Sequence, residues 1–114
     1  SIVRGNTQRA LIRMLRAVGA AEVHVRISSP PVQWPCFYGI DFATRAELIA
    51  PGLSVDEIAQ AIEADSLGFV SLAGMHAAVG LDADLLCSAC FDGNYPIHIP
   101  GSAAATLGID QEDT

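Results

Sequence analysis

Ser1-Ile2-Val3-Arg4-Gly5-Asn6-Thr7 is the stretch that decides the fold, because this polar loop leads directly into a helical pattern. Thr7 is the candidate N-cap of the helix. A strand follows, since Val23, Val25 and Ile27 alternate with polar residues. Loop, helix and strand in this order are typical of the second half of a βαβ unit, whose first strand would precede Ser1. We therefore predict an α/β fold with a parallel sheet, and we expect the chain to be a piece of a longer protein.

The helix predicted after the opening loop carries a basic stripe and an apolar stripe. Arg9, Arg13 and Arg16 recur at spacings of four and three residues and predict a solvated, charged helix face. Gly19 can end the helix in a left-handed conformation. The apolar stripe at helical spacing consists of Ala10, Leu11, Met14, Leu15 and Val18.

The middle of the chain joins loops to short elements. Residues 28–37 contain three prolines, which exclude a helix and predict an extended crossing loop. Residues 38–41 are predicted to close that loop with a short strand. Capping boxes at Thr44-Arg-Ala-Glu47 and Ser54-Val-Asp-Glu57 predict two helix starts.

The last third of the chain has weaker patterns. Residues 67–71 are a candidate strand, and Leu72, Met75 and Val79 predict a last, brief helix that ends at Gly80. Residues 85–100 have the turn-rich composition of a loop.

The charge distribution separates the front of the chain from the rest. The net charge is −7, yet all six arginines and only two carboxylates precede residue 46, so that part carries +4 and the remainder −11. An acidic protein is unsuited to general nucleic-acid binding, because a phosphate backbone needs a basic surface. No apolar run reaches the roughly 18 residues of a membrane helix. A basic front suits a small anionic ligand bound locally.

The opening loop has the composition of a phosphate site. A loop between a strand and a helix presents unpaired backbone N–H groups and the positive end of the helix dipole. Gly5 lets the backbone approach an anion, and Ser1, Asn6 and Thr7 can donate side-chain hydrogen bonds. One glycine in a loop is also compatible with an ordinary turn, so the loop alone leaves both interpretations open.

The three cysteines are Cys36 and a pair in Cys-x-x-Cys spacing, Cys87 and Cys90. An odd number argues against a disulfide framework. Two thiolates at this spacing can bind one metal from a single turn, and Cys36 raises the number of ligands to three, one short of four. Three interpretations stay open: zinc completed by a histidine such as His98, a redox dithiol, and ordinary buried cysteines.

Five blocks beyond the opening loop carry the pattern of a known family. In order and spacing, the loop and these blocks resemble the amidophosphoribosyltransferases, the glutamine-dependent enzymes that open purine nucleotide synthesis. The resemblance covers about residues 1–97. The blocks are Val23-His-Val-Arg-Ile-Ser-Ser-Pro-Pro31, Pro35-Cys-Phe-Tyr-Gly-Ile-Asp41, Thr44-Arg-Ala-Glu-Leu-Ile-Ala50, Ala64-Asp-Ser-Leu-Gly68, and Cys87-Ser-Ala-Cys-Phe91 with Gly93 and Tyr95-Pro96.

The resemblance implies a place for the chain within a larger fold. Residues 1–100 would form the C-terminal part of a type I phosphoribosyltransferase domain, which is Rossmann-like with a parallel sheet. Residues 101–114 would be a mobile acidic tail. The rest of the polypeptide would complete the sheet, so we expect these residues alone to aggregate, to dimerise or to need a companion chain.

The resemblance also implies an activity. The intact enzyme would form 5-phosphoribosylamine from phosphoribosyl pyrophosphate (PRPP), glutamine and water, and this chain alone would be inactive. In the family, two aspartates that hold the ribose hydroxyls and the magnesium-bound pyrophosphate precede the position of Ser1, so no catalytic residue falls within this chain. Asn6 stands where the family usually has threonine, so its contact cannot copy a hydroxyl. The residues that would bind the 5′-phosphate are Ser1, Arg4, Gly5, Asn6 and Thr7.

One branch of the family carries a [4Fe–4S] cluster, and its cysteine ligands match Cys36, Cys87 and Cys90. The resemblance implies a structural, oxygen-sensitive cluster whose fourth ligand lies far upstream. It also implies Mg²⁺ bound with the substrate and a cytoplasmic homo-oligomer with neither nucleic acid nor membrane as partner. A competing hypothesis is a stand-alone metal-binding or interaction module that retains part of a phosphoribosyltransferase fold.

Overall fold

The computed structural model describes residues 1–39 and 45–98. The predicted acidic tail and residues 40–41 of the strand predicted at residues 38–41 lie outside these ranges. Residues 38 and 39 form a bend, so the strand prediction is wrong for this half. Within them, no helix has the length and apolar character needed to cross a membrane. The elements in chain order are helix α1 (Asn6–Ala17), strand β1 (His24–Ile27), a 3₁₀ turn (Arg45–Glu47), helix α2 (Val55–Ile62), strand β2 (Ser66–Phe69), helix α3 (Leu72–Val79), a second 3₁₀ turn (Ala83–Leu85) and helix α4 (Ala89–Asp92).

Strands β1 and β2 form a parallel pair. His24 is the partner of Ser66 and Ile27 is the partner of Phe69, so the four residues of each strand are in continuous register. Parallel strands need a crossover connection, and here that connection contains α2. The predicted α/β class with a parallel sheet is therefore confirmed.

The core lies between the opening loop, α1 and α2. Ile2, Ile12 and Ile62 form its centre, and each is at most 2% exposed. Burial of each such side chain contributes roughly 1.5–3 kcal/mol. Because Ile2 belongs to this core, the opening loop is fixed to the body of the fold. The partly buried residues around the centre are Val23, Val25, Ile27, Ile49, Ala64, Leu67 and Phe69.

Helix α1 begins earlier than predicted. Its N-cap is Gly5, with a φ of 83° and no side-chain capping bond, so the prediction of Thr7 as N-cap is wrong. Gly19 has a φ of 107° directly after the helix, as its left-handed role requires. The predicted apolar stripe is largely exposed, for example 58% at Met14 and 80% at Val18, while Ile12 is buried. The described residues pack against the Ile12 side of the helix.

The basic stripe of α1 is solvated in part, with the Arg13 side chain 65% exposed, but it also bonds to the end of α2, which the prediction of a solvated face did not include. Arg13 forms two bonds with the Glu63 carboxylate, at 2.6 Å from Nε and 3.0 Å from Nη2. Arg16 donates to the Glu63 carbonyl at 2.7 Å and to the Asp65 carboxylate at 2.9 Å. Arg9 donates to a main-chain carbonyl of α2 at 2.8 Å. Glu63 has a φ of 68°, a conformation rare outside glycine, and these bonds hold it in place.

The Arg13–Glu63 pair makes stability depend on pH. The hydrogen bond from Arg13 holds the pKa of Glu63 below its ordinary value. A carboxylate with a lowered folded-state pKa stabilises the fold above its unfolded pKa of about 4.3, and this contribution is lost as the pH falls through the folded pKa. Because both side chains are largely exposed, the contribution of the pair is small. We predict that Glu63→Gln lowers the free energy of unfolding at pH 7 by a small amount and that the difference from the parent shrinks below about pH 4.

Urea denaturation of the protein that contains this segment, repeated between pH 3 and pH 7, checks this prediction. Asp82→Asn is the matched control, because it removes the same charge at a helix cap whose side chain makes no capping bond. A difference between the Glu63→Gln variant and its parent that stays the same at pH 3 and pH 7 would contradict the assignment.

The capping box at Ser54 is confirmed. The Ser54 hydroxyl accepts from the Glu57 N–H, and the Glu57 carboxylate accepts from the Ser54 N–H, both at 3.1 Å. Thr44 of the other predicted box lies outside the described residues, and the residues that follow it form one 3₁₀ turn instead of an α-helix. Helix α3 ends at Gly80 with a φ of 78°, as predicted.

The segment predicted as a loop at residues 85–100 contains helix α4. This helix of four residues ends at Gly93, which has a φ of 77°. Four residues are too few to produce a helical repeat of apolar positions, so the loop prediction is wrong there for a physical reason. The helix carries Cys90, and Cys87 lies two residues before its first residue.

Candidate functional site

The opening loop and the first turn of α1 form a cleft of about 210 Å³. All five predicted phosphate-binding residues lie on it. The first N–H groups of a helix have no partner within the helix, and the helix dipole makes this end positive. The cleft therefore combines backbone donors with polar side chains. Its lining residues are Ser1, Val3, Arg4, Gly5, Asn6, Thr7 and Gln8.

Gly5 gives the cleft its shape. Its φ of 83° turns the chain into α1, and a Cβ at this position would lie 2.9 Å from Ile49 Cδ1 and 3.2 Å from Ile62 Cγ2. Both the conformation and the close contact with the core require glycine. The loop is also bound from behind, because the Ile49 N–H donates to the Val3 carbonyl at 2.9 Å.

Two residues near the cleft were missed by sequence reasoning. Gln8 lines the cleft and donates from Nε2 to the Ser1 carbonyl at 3.1 Å. Its place in the first turn of α1 was a usable signal. Glu47 accepts from Arg4 Nε at 3.3 Å. These two residues are 43 positions apart, and no local pattern predicts their contact.

The three cysteines share one neighbourhood. Burial first, and then the Cys36 thiol, raise the pKa of the Cys90 thiol to about 11, and Cys87 contributes in the same direction. The N–H groups of Gln33 and Trp34 donate to the Cys90 carbonyl at 2.9 Å and 3.1 Å. These bonds join the Cys36 loop, which is the crossing loop at residues 28–37, to helix α4, so the fold brings together the two cysteine-bearing segments.

Aromatic side chains cover the Cys36 loop. The Tyr95 hydroxyl donates to the Pro35 carbonyl at 2.7 Å, and burial raises the Tyr95 pKa, which keeps this hydroxyl a donor. The ring of Tyr95 meets that of Phe37 edge to face at a centroid distance of 5.1 Å. The Tyr38 N–H donates to Cys36 Sγ at 3.3 Å. Cys36 therefore lies in a partly desolvated setting with one N–H···S contact.

The three thiols can be compared with the ligand set that a metal centre requires. Three thiols are soft ligands of the kind that iron–sulfur clusters and zinc take, but a full set has four. Across residues 1–39 and 45–98, no group of three or more His, Cys, Asp or Glu side chains is arranged to hold a metal ion. His98, the candidate fourth zinc ligand, is exposed. The thiols thus fit a cluster in chemical type, but within the described residues they are not arranged to hold one metal ion, and they number one fewer than a full set.

Comparison with known proteins tests the resemblance. No family model matches the chain. Over 108 residues the chain is 60% identical to the amidophosphoribosyltransferase of Mycobacterium leprae. The match covers 90% of this chain and 19% of that relative. The chain is homologous to a segment of the amidophosphoribosyltransferases. The predicted resemblance is confirmed, and the chain spans about one fifth of the length of the curated relatives it matches.

Two solved structures share the fold of this segment. The Bacillus subtilis glutamine PRPP amidotransferase, complexed with ADP and GMP, matches 95% of the chain with a TM-score of 0.81 and 49% identity, over 25% of its own length. A structure described as the allosteric regulatory enzyme of purine biosynthesis matches 90% of the chain with a TM-score of 0.81 and 52% identity, over 23% of its own length.

Proposed function

We propose that this chain supplies the 5′-phosphate site of an amidophosphoribosyltransferase that forms 5-phosphoribosylamine in the first step of purine synthesis. The observation that carries the proposal is the cleft at the start of α1, lined by residues 1 and 3–8, in a chain homologous to these enzymes. The substrates of the full-length enzyme would be PRPP and glutamine. The homology favours this enzyme segment over a stand-alone metal-binding or interaction module.

The chain's own residues bind and orient the phosphate. Gly5 lets the main chain approach the anion, and the free N–H groups of the first turn of α1 donate to its oxygens. Arg4 adds a charged donor, and Ser1, Asn6 and Thr7 add neutral ones. A phosphate fixed in this way fixes the ribose. Ammonia released from glutamine then bonds to carbon 1 as the bond to pyrophosphate breaks, and the nitrogen loses one proton to solvent to give the amine.

Arg4→Ala in the full-length protein tests this function. Loss of one charged hydrogen-bond donor is expected to raise the KM for PRPP roughly tenfold to a hundredfold, with the KM for glutamine unchanged. Steady-state kinetics with each substrate varied in turn measures both values. Arg26→Ala is the control, because Arg26 lies on β1 and binds Ser66 and a main-chain carbonyl. An unchanged KM for PRPP in the Arg4→Ala variant would contradict the proposed function.

We further propose that Cys36, Cys87 and Cys90 bind a [4Fe–4S] cluster whose fourth ligand lies in another part of the full-length protein. Support comes from the shared neighbourhood of the thiols, the two hydrogen bonds between their segments and the aromatic cover. When bound, such a cluster would cross-link the Cys36 loop to α4. The chain's residues bond the two cysteine-bearing segments to each other and cover the loop of Cys36 with aromatic rings, while Cys87 is exposed.

Other properties of the full-length enzyme follow the same proposal. Mg²⁺ would bind with PRPP through acidic residues outside this chain, and the enzyme would be a cytoplasmic homo-oligomer. The exposed apolar stripe of α1, which includes Leu11, Met14 and Val18, supports the need for further polypeptide against this face.

A further inference from the structure

Glu47 lies beside the phosphate cleft although it lines no part of it. Its carboxylate accepts from Arg4 Nε at 3.3 Å, with side-chain exposures of 53% for Glu47 and 40% for Arg4. An exposed pair of this kind contributes little to stability. A carboxylate near an anion site also opposes anion binding by charge. Neither stability nor charge therefore accounts for Glu47 at this position.

The geometry of arginine suggests another role. A guanidinium is a rigid plane with five N–H donors, one on Nε and four on the two terminal nitrogens. When Glu47 holds Nε, both terminal nitrogens of Arg4 stay available for a phosphate. Because the rest of the arginine side chain is flexible, holding one edge of the plane reduces the orientational freedom that phosphate binding would otherwise remove.

The turn that carries Glu47 is itself held on both sides. Arg45 lies over the Trp34 ring at 3.9 Å from its centroid and donates from Nε to the Gln33 carbonyl at 3.1 Å. The turn closes with a bond from the Leu48 N–H to the Arg45 carbonyl at 3.1 Å, and Leu48 is buried. Two residues after Glu47, the N–H of Ile49 donates to the carbonyl of Val3 in the opening loop. The main chain at Glu47 is therefore held in place by hydrogen bonds and packing on both sides.

We propose that Glu47 is a positioning residue that orients the Arg4 guanidinium toward the 5′-phosphate of PRPP. This inference rests on the proposed function. Glu47 acts through Arg4 and does not touch the substrate. Residues 45–49 contact both the opening loop, through the bond from Ile49 to Val3, and the Cys36 loop, through Arg45.

A double-mutant cycle in the full-length protein tests this role. Glu47→Ala is expected to raise the KM for PRPP about twofold to tenfold, the cost of orienting one free side chain on binding, with little change in kcat. In the Arg4→Ala background, the same substitution is expected to have no further effect, because the residue it orients is gone. Glu47→Gln keeps an oxygen acceptor of the same length and is expected to give a KM between those of the parent and Glu47→Ala.

Glu22→Ala is the matched control, because Glu22 is also an exposed carboxylate in a pair, with His24 at 2.9 Å, and lies away from the cleft. A KM for PRPP that falls or stays constant in Glu47→Ala, while Arg4→Ala raises it, would overturn the positioning role alone. An equal effect of Glu47→Ala with and without Arg4 would also overturn it. No effect of Arg4→Ala would overturn the proposed function, and the role of Glu47 with it.

Discussion

Gly5→Ala is expected to lower the free energy of unfolding by roughly 2–4 kcal/mol and to weaken PRPP binding. A side chain at a φ of 83° is strained, and the new Cβ would lie 2.9 Å from Ile49 Cδ1 and 3.2 Å from Ile62 Cγ2. Ile49 can move the end of its side chain, but Ile62 is completely buried and has little space to shift. The loop must then move away from the core, and its N–H groups move with it.

Gly52→Ala separates the cost of backbone strain at a positive φ from the cost of the steric contact between the new Cβ and the core. Gly52 has a φ of 80°, and a Cβ there would meet nothing within 4 Å. In this control the free energy of unfolding is expected to fall only by the conformational cost of roughly 1–2 kcal/mol, without a change in the KM for PRPP. Urea denaturation and steady-state kinetics of both variants in the full-length protein give the comparison. Equal losses of stability, or an unchanged KM for PRPP in the Gly5→Ala variant, would contradict the described packing of the phosphate loop.

Cys87→Ser is expected to remove nearly all iron from the full-length protein. A [4Fe–4S] cluster holds about four iron atoms through four ligands, and a serine hydroxyl is a poor substitute for a soft thiolate. The measurement is chemical analysis of iron and sulfide in protein purified without oxygen, together with the visible absorbance that gives such proteins a brown colour. The same loss is expected for the other two cysteines.

Ser88→Ala is the control for this experiment, because Ser88 lies between the two cysteines of the Cys-x-x-Cys pair without being a proposed ligand. It is 6% exposed, and its hydroxyl lies 2.7 Å from His76 Nε2. Retention of iron in this variant and its loss in Cys87→Ser would assign the effect to the ligand. A colourless, iron-free parent protein prepared without oxygen would contradict the proposed cluster.

Local signals predicted the elements that local chemistry determines. The reciprocal bonds of Ser54 and Glu57 lie within one turn, and Gly80 ends α3 because glycine adopts the left-handed conformation at low cost. Strand β1 was predicted from alternation over a few residues. Each of these features involves residues at most a few positions apart.

Contacts between distant residues could not be predicted in this way. Arg13 and Glu63 are 50 positions apart, so a stripe that has the pattern of a solvated face is in fact bonded to α2. The pair formed by Arg4 and Glu47 depends on how the turn at residues 45–47 packs beside the loop. In contrast, all five predicted phosphate-loop residues lie on one cleft, because they are consecutive or nearly so in the sequence.

The location of the 5′-phosphate tests most directly whether the opening loop of this chain binds the substrate. A crystal structure of the full-length protein with PRPP bound would measure it. We predict that the phosphate lies in the cleft at the start of α1, within hydrogen-bond distance of Arg4 and of the N–H groups of residues 5–8. A 5′-phosphate bound elsewhere in the protein, with no contact to this cleft, would show that the opening loop is not the phosphate site.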